Sequence, residues 1–152
     1  MTYDDFLETN EEMTYRFKGV SMLPLLRQGR DLFTVRHKKP GERCRKYDVV
    51  LYHRGSDYVL HRIIKVLPEG HYVILGDNCV AREYDTTDDD IIGIVTGYYR
   101  DRKAHSVDEL GYRIYSRVHV FLSPARIFIR RSVGYAKRIV KKIIRFSFRK
   151  KP

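Results

Sequence analysis

Between residues 31 and 100 the chain carries a series of short β-branched and aromatic runs, with turn signals between most of them and no helical periodicity. Asp31–Val35, Tyr47–Tyr52, Tyr58–Val66, Tyr72–Leu75 and Ile91–Tyr99 read as strands. Pro40-Gly41, Gly55-Ser56 and Pro68-Glu69-Gly70 punctuate the series. No helical pattern falls between these short strands to serve as a crossover. The expected fold class is therefore mainly β, an antiparallel meander or partly closed β-barrel, rather than alternating βα units. Tyr3 to Met13 reads as a short leading helix capped by Thr2.

The 152 residues suit one β-rich domain over 1–110 and a tail over 111–152. Hydrophobic residues at 43% supply a core, while charged residues at 32% point to a soluble or peripheral protein. No window approaches the roughly 18 unbroken apolar residues of a membrane span. The acidic start, Met1 to Glu8, lacks the basic and apolar regions of a secretory signal, so the cytoplasm is the expected location. Cys44 and Cys79 have no metal-ligand spacing and read as ordinary reduced thiols, so no metal is expected.

The tail departs from the body in charge and period. Of the 30 Lys and Arg, 13 fall between Leu110 and Pro152, where there is no Asp or Glu. The other 17 share the body with all 19 acidic residues. Ile127, Phe128, Val133, Tyr135, Ala136, Ile139, Val140, Ile143, Ile144 and Phe146 recur roughly at three- and four-residue steps among the basic residues. That pattern predicts an amphipathic helix starting after Pro124. Three uses compete: lying on an anionic membrane surface, packing on the body, and binding nucleic acid. The membrane surface is favoured. Nucleic acid is least favoured, because the tail lacks stacking aromatics and reading motifs.

Three further stretches carry chemistry. Gly19-Val20-Ser21-Met22-Leu23-Pro24 exposes a serine beside turn-favouring residues. Val59-Leu60-His61-Arg62-Ile63 places a histidine in a strand, and Gly76-Asp77-Asn78 ends another. A serine hydroxyl becomes a useful nucleophile when a nearby base takes its proton, and a histidine is the usual base. Taken singly, each stretch is as well explained by a turn or a structural side chain.

In their joint order the stretches resemble the signal peptidase I superfamily of serine endopeptidases. The resemblance rests on Gly19 to Leu26, Lys46 to Val50, Val59 to Val66 and Leu75 to Asn78, within residues 15 to 100. A histidine at position 61, where the common bacterial branch has lysine, is similar to the endoplasmic reticulum and archaeal type. The resemblance implies a signal-peptidase-like catalytic domain that cleaves signal or leader peptides without a cofactor. Ser21 would be the nucleophile and His61 the general base. Asp77 would be the acidic partner, with Asp85 the second candidate.

The oxyanion would rest on the Ser21 backbone N–H, because Gly19 stands where relatives often carry a helping serine. Substrate would pair with strand edges near Gly19 and near Tyr58, Val59 and Leu60. Leu23, Leu25 and Leu26 read equally well as an apolar lip or as core. An ordinary histidine base would give an acid limb near pH 6 to 7. The alternative is a catalytically silent relative that binds peptides or membranes.

Overall fold

The β-branched runs become the strands of a single antiparallel sheet in the computed structural model, which describes residues 3–149. Helix α1 (Tyr3–Thr9) leads into β1 (Glu12–Arg16), β2 (Leu32–His37), β3 (Val49–Arg54) and β4 (Asp57–Val66). β5 (His71–Leu75), β6 (Glu83–Thr87), β7 (Ile91–Arg100) and β8 (Lys103–Ser106) complete the sheet. Helices α2 (Leu110–Phe121) and α3 (Ser123–Arg149) follow. The expected Thr2 cap lies outside the described residues. The strand order is β1-β2-β7-β3-β4-β5-β6, with β8 added to the far half of β7.

The sheet does not close, in contrast to the expected partly closed barrel; β1 and β6 end the path unpaired with each other. Both are polar edge strands. Each buries one side chain, Met13 and Thr86, while Glu12, Arg16, Glu83 and Asp85 line the rest. Charges on an edge strand discourage further pairing. The same polarity hid these strands in the sequence, and the expected helix to Met13 stops at Thr9.

Strand alternation divides the core in two. Val50, Tyr52, Ile63, Tyr72 and Ile74 pack together in one cluster. Leu51, Leu60, Phe17, Met22, Leu26 and Phe33 pack in the other, with Leu7 of α1 and Tyr112 of α2. The β3–β4 hairpin turns through Gly55, whose φ of +62° suits a two-residue turn. This hairpin sets Val50 opposite His61.

The chain divides into two units, Met1–Val120 and Phe121–Pro152, about a helix later than the expected boundary at 110. The reason is chemical: Tyr112, Tyr115, Ser116 and His119 of α2 all bind groups of the β body. The second unit holds α3, whose first turn contains Pro124.

Candidate active site

Ser21 sits in the loop between β1 and β2. Met22, Leu25 and Leu26 bury into the core and fix that loop, so Leu25 and Leu26 are packing residues rather than a lip. Asp31, fully buried, accepts from the Arg27 guanidinium at 2.9 Å and from the Arg27 backbone N–H at 2.9 Å. Arg100 reaches in from β7 to the carbonyls of Pro24 and Leu25. From the other side, the Asn78 backbone N–H donates to the Ser21 carbonyl at 2.6 Å, and Asn78 Nδ2 donates to the Val20 carbonyl at 3.0 Å. The serine is thus held between a packed loop and the turn after β5.

Ser21 and His61 line one cleft of about 420 Å³, together with Lys18, Tyr58, Val59, Leu60 and Cys79. Gly19 is exposed and does not line it. β5 pairs with β4 only from Arg62 onward, so the Tyr58–Leu60 stretch of β4 runs beyond that pairing and borders the cleft.

His61 is 4% exposed, and its two ring nitrogens have different surroundings. Nδ1 stands 3.1 Å from Glu83 Oε1 and 3.1 Å from Tyr52 Oη. The Tyr52 hydroxyl donates its one proton to Glu83 Oε2 at 2.8 Å, so towards His61 it can only accept. The network therefore assigns the proton to Nδ1 and leaves the lone pair on Nε2. Nε2 faces Cys79 Sγ at 4.0 Å, in the region kept open by Gly76. A Cβ on Gly76 would lie 2.8 Å from His61 Nε2 and 2.7 Å from Cys79 Sγ.

Burial holds the His61 imidazolium below its ordinary 6.5, and the Glu83 carboxylate opposes that shift without cancelling it. The imidazole is thus neutral over a wider range than the ordinary histidine expected from sequence.

Asp77 does not face His61. Adjacent residues on a strand point to opposite sides, so Arg62 turns away from the His61 side and draws Asp77 with it. Arg62 donates to Asp77 through Nε at 2.8 Å and Nη2 at 2.8 Å. Its remaining nitrogen donates to the Tyr47 carbonyl and Ser116 Oγ, each at 2.9 Å. Tyr115 donates to Asp77 Oδ2 at 2.9 Å, and His119 Nε2 lies 2.9 Å from the Asp77 carbonyl. Burial opposes ionisation of Asp77, but Arg62, with His119 and Tyr115, outweighs it and keeps the carboxyl below 3.8.

Glu83 occupies the place expected of Asp77, and Asp85 is exposed two residues further along β6. Position and strand pairing explain Glu83: Ile63, Ile74 and Glu83 stand side by side across β4, β5 and β6. Its only sequence signal is an acid two residues short of Asp85. Among the described residues, no group of three His, Cys, Asp or Glu stands close enough to hold a metal ion.

Neither a scan against protein-family models nor a search of curated proteins finds a match to this chain.

Proposed function

We propose that the chain is a serine endopeptidase of the signal-peptidase type, cleaving leader or signal peptides by attack of Ser21 with His61 as general base. The supporting observation is the unprotonated Nε2 of a buried, tautomer-fixed histidine. His61 lines the same cleft as Ser21, with Nδ1 held by Glu83 and Tyr52 and Nε2 on the side of Cys79, which also lines it.

Ser21 Oγ gives its proton to His61 Nε2 as it adds to the scissile carbonyl carbon. Charge develops on the carbonyl oxygen, which the backbone N–H of Ser21 accommodates. Glu83, accepting from Nδ1–H, stabilises the imidazolium that forms and is the acidic partner in this reading. Collapse of the tetrahedral adduct breaks the C–N bond, and the leaving amine takes the proton from Nε2. Water, deprotonated by the same nitrogen, then releases the acyl group and restores Ser21. The substrate runs extended along Tyr58–Leu60, adding main-chain hydrogen bonds to the edge of β4.

Incubation with leader peptides tests the reading by comparing the wild type with Ser21→Ala and His61→Ala. The wild type cleaves, and each alanine variant loses about 10²-fold or more. Cleavage that survives both changes refutes the assignment. Peptide binding with no cleavage by the wild type identifies a silent relative.

A further inference from the structure

We propose that α3 is a surface anchor, lying along an anionic phospholipid bilayer with its apolar face in the headgroup and acyl boundary. Its 27 residues make a rod of about 40 Å at 1.5 Å per residue. Ile129, Val133, Val140 and Ile144 follow one another at helical steps, with Phe128, Tyr135 and Ile139 beside them on the same broad face. All seven are exposed, Phe128 at 72% and Tyr135 at 68%. Lys137, Arg138, Lys141, Lys142 and Arg145 occupy the opposite face.

Water is a poor solvent for so long an apolar face, and contiguous exposed patches of this size mark interaction surfaces. Three occupants compete: a bilayer, a nucleic acid and a second copy of the chain. A nucleic acid would engage the basic face and leave the apolar one in water. A second copy would bring its own cations, with no acidic residue anywhere from Leu110 to Pro152 to pair with them. An anionic bilayer satisfies both faces: acyl chains take the apolar side and headgroup phosphates take the cations. No helix of the described residues is long and apolar enough to cross a membrane, so the contact lies along the surface.

Within the first unit, α2 repeats the chemistry on a smaller scale. Leu110, Ile114 and Val118 form an exposed stripe at four-residue steps, with Arg113 and Arg117 alongside. Surface binding of this kind does not depend on catalysis by Ser21.

The chain has no tryptophan, so Phe128→Trp gives the full-length protein a single reporter on the apolar face. The protein is mixed at low salt with vesicles of phosphatidylcholine alone, or of phosphatidylcholine with phosphatidylglycerol. Expected are co-flotation with the anionic vesicles, a blue-shifted emission from the introduced indole, and quenching by brominated acyl chains. Ile129→Glu with Val140→Glu weakens binding at least tenfold. Changing Lys137, Arg138, Lys141 and Lys142 together to Gln weakens it by about a hundredfold or more. Thermal unfolding of the β body stays unchanged in both variants, which separates lost binding from lost folding.

Absence of flotation with anionic vesicles at low salt overturns the proposal. So does binding that ignores the apolar-face glutamates and is matched by duplex DNA without a shift in the indole emission, which is the nucleic-acid outcome. A dimer that the glutamates dissociate, with no vesicle binding, overturns it in favour of a second copy.

Discussion

Arg62 grips Asp77 through two parallel hydrogen bonds of 2.8 Å, with both side chains almost wholly buried. The pair lies between two neighbours of the candidate site. His61 precedes the arginine, and Asn78, which holds the Ser21 carbonyl, follows the aspartate. Arg62 and Asp77 therefore couple the strand bearing His61 to the turn that holds the Ser21 loop. Through Tyr115, Ser116 and His119 they also tie α2 to the sheet.

Removing one member of such a pair leaves an uncompensated buried charge. Asp77→Ala is expected to destabilise the β body by about 3–5 kcal/mol, read from the urea midpoint. Arg62→Met combined with Asp77→Leu removes both charges and is expected to recover most of that loss. A double variant no more stable than Asp77→Ala would show that the pair is not the reason Asp77 matters. Asp77 acts on His61 only through its charge, which raises the His61 pKa less than Glu83 does, so a folded Asp77 variant should move its acid limb to lower pH by less than Glu83→Gln does.

Glu83 behaves differently. Its carboxylate accepts from Nδ1 and raises the His61 pKa against burial. Glu83→Gln removes that support and can offer Nδ1 a donor instead, favouring the wrong tautomer. Cleavage should fall about 10²- to 10⁴-fold, and the remaining activity should show its acid limb at lower pH than the wild type. A pH–rate profile of kcat/KM for both proteins checks this. An unmoved limb would separate Glu83 from the base.

The Ser21 and His61 positions were legible because each belongs to a local run whose wording is distinctive. The five main strands were legible because β-branched residues fill them. Glu83 was not legible. What brings it to His61 is the side-by-side pairing of β4, β5 and β6, a long-range relationship, and β6 itself is too polar to read as a strand. Asp77 was misplaced for a related reason. Sequence order puts it near His61, but strand alternation turns the adjacent arginine away and the aspartate follows the charge. Helix α2 was overlooked because its buried residues, Tyr112 and Ser116, are polar.

The same burial makes folding sensitive to acid at His61. Its folded pKa lies below 6.5, so the unfolded chain binds a proton first as pH falls. The stability contributed by the neutral imidazole is present above pH 6.5 and is lost as pH falls through the folded value. His61→Phe, which keeps the bulk without the titration, should flatten the wild-type decline in urea midpoint below pH 6.5. A decline of equal steepness in the variant would place its origin in other groups.

The two thiols make a matched pair for probing the site. Cys44 is 3% exposed, and burial pushes its thiol up to about 12, so almost none of it is thiolate at neutral pH. Cys79 lines the cleft with its sulfur 4.0 Å from His61 Nε2. Iodoacetamide on the folded protein should alkylate Cys79 well before Cys44, with peptide mapping by mass spectrometry locating the adduct. A carboxamidomethyl group there would crowd His61 Nε2, so under the proposed mechanism cleavage should fall in step with Cys79 labelling. Gly76→Ala tests the same space without a reagent. Its new methyl would press on the buried His61 ring and on Cys79, so the urea midpoint should fall, and kcat should drop at least tenfold under conditions where the variant is still fully folded. Labelling of Cys79 that leaves kcat intact would count against Nε2 as the proton acceptor.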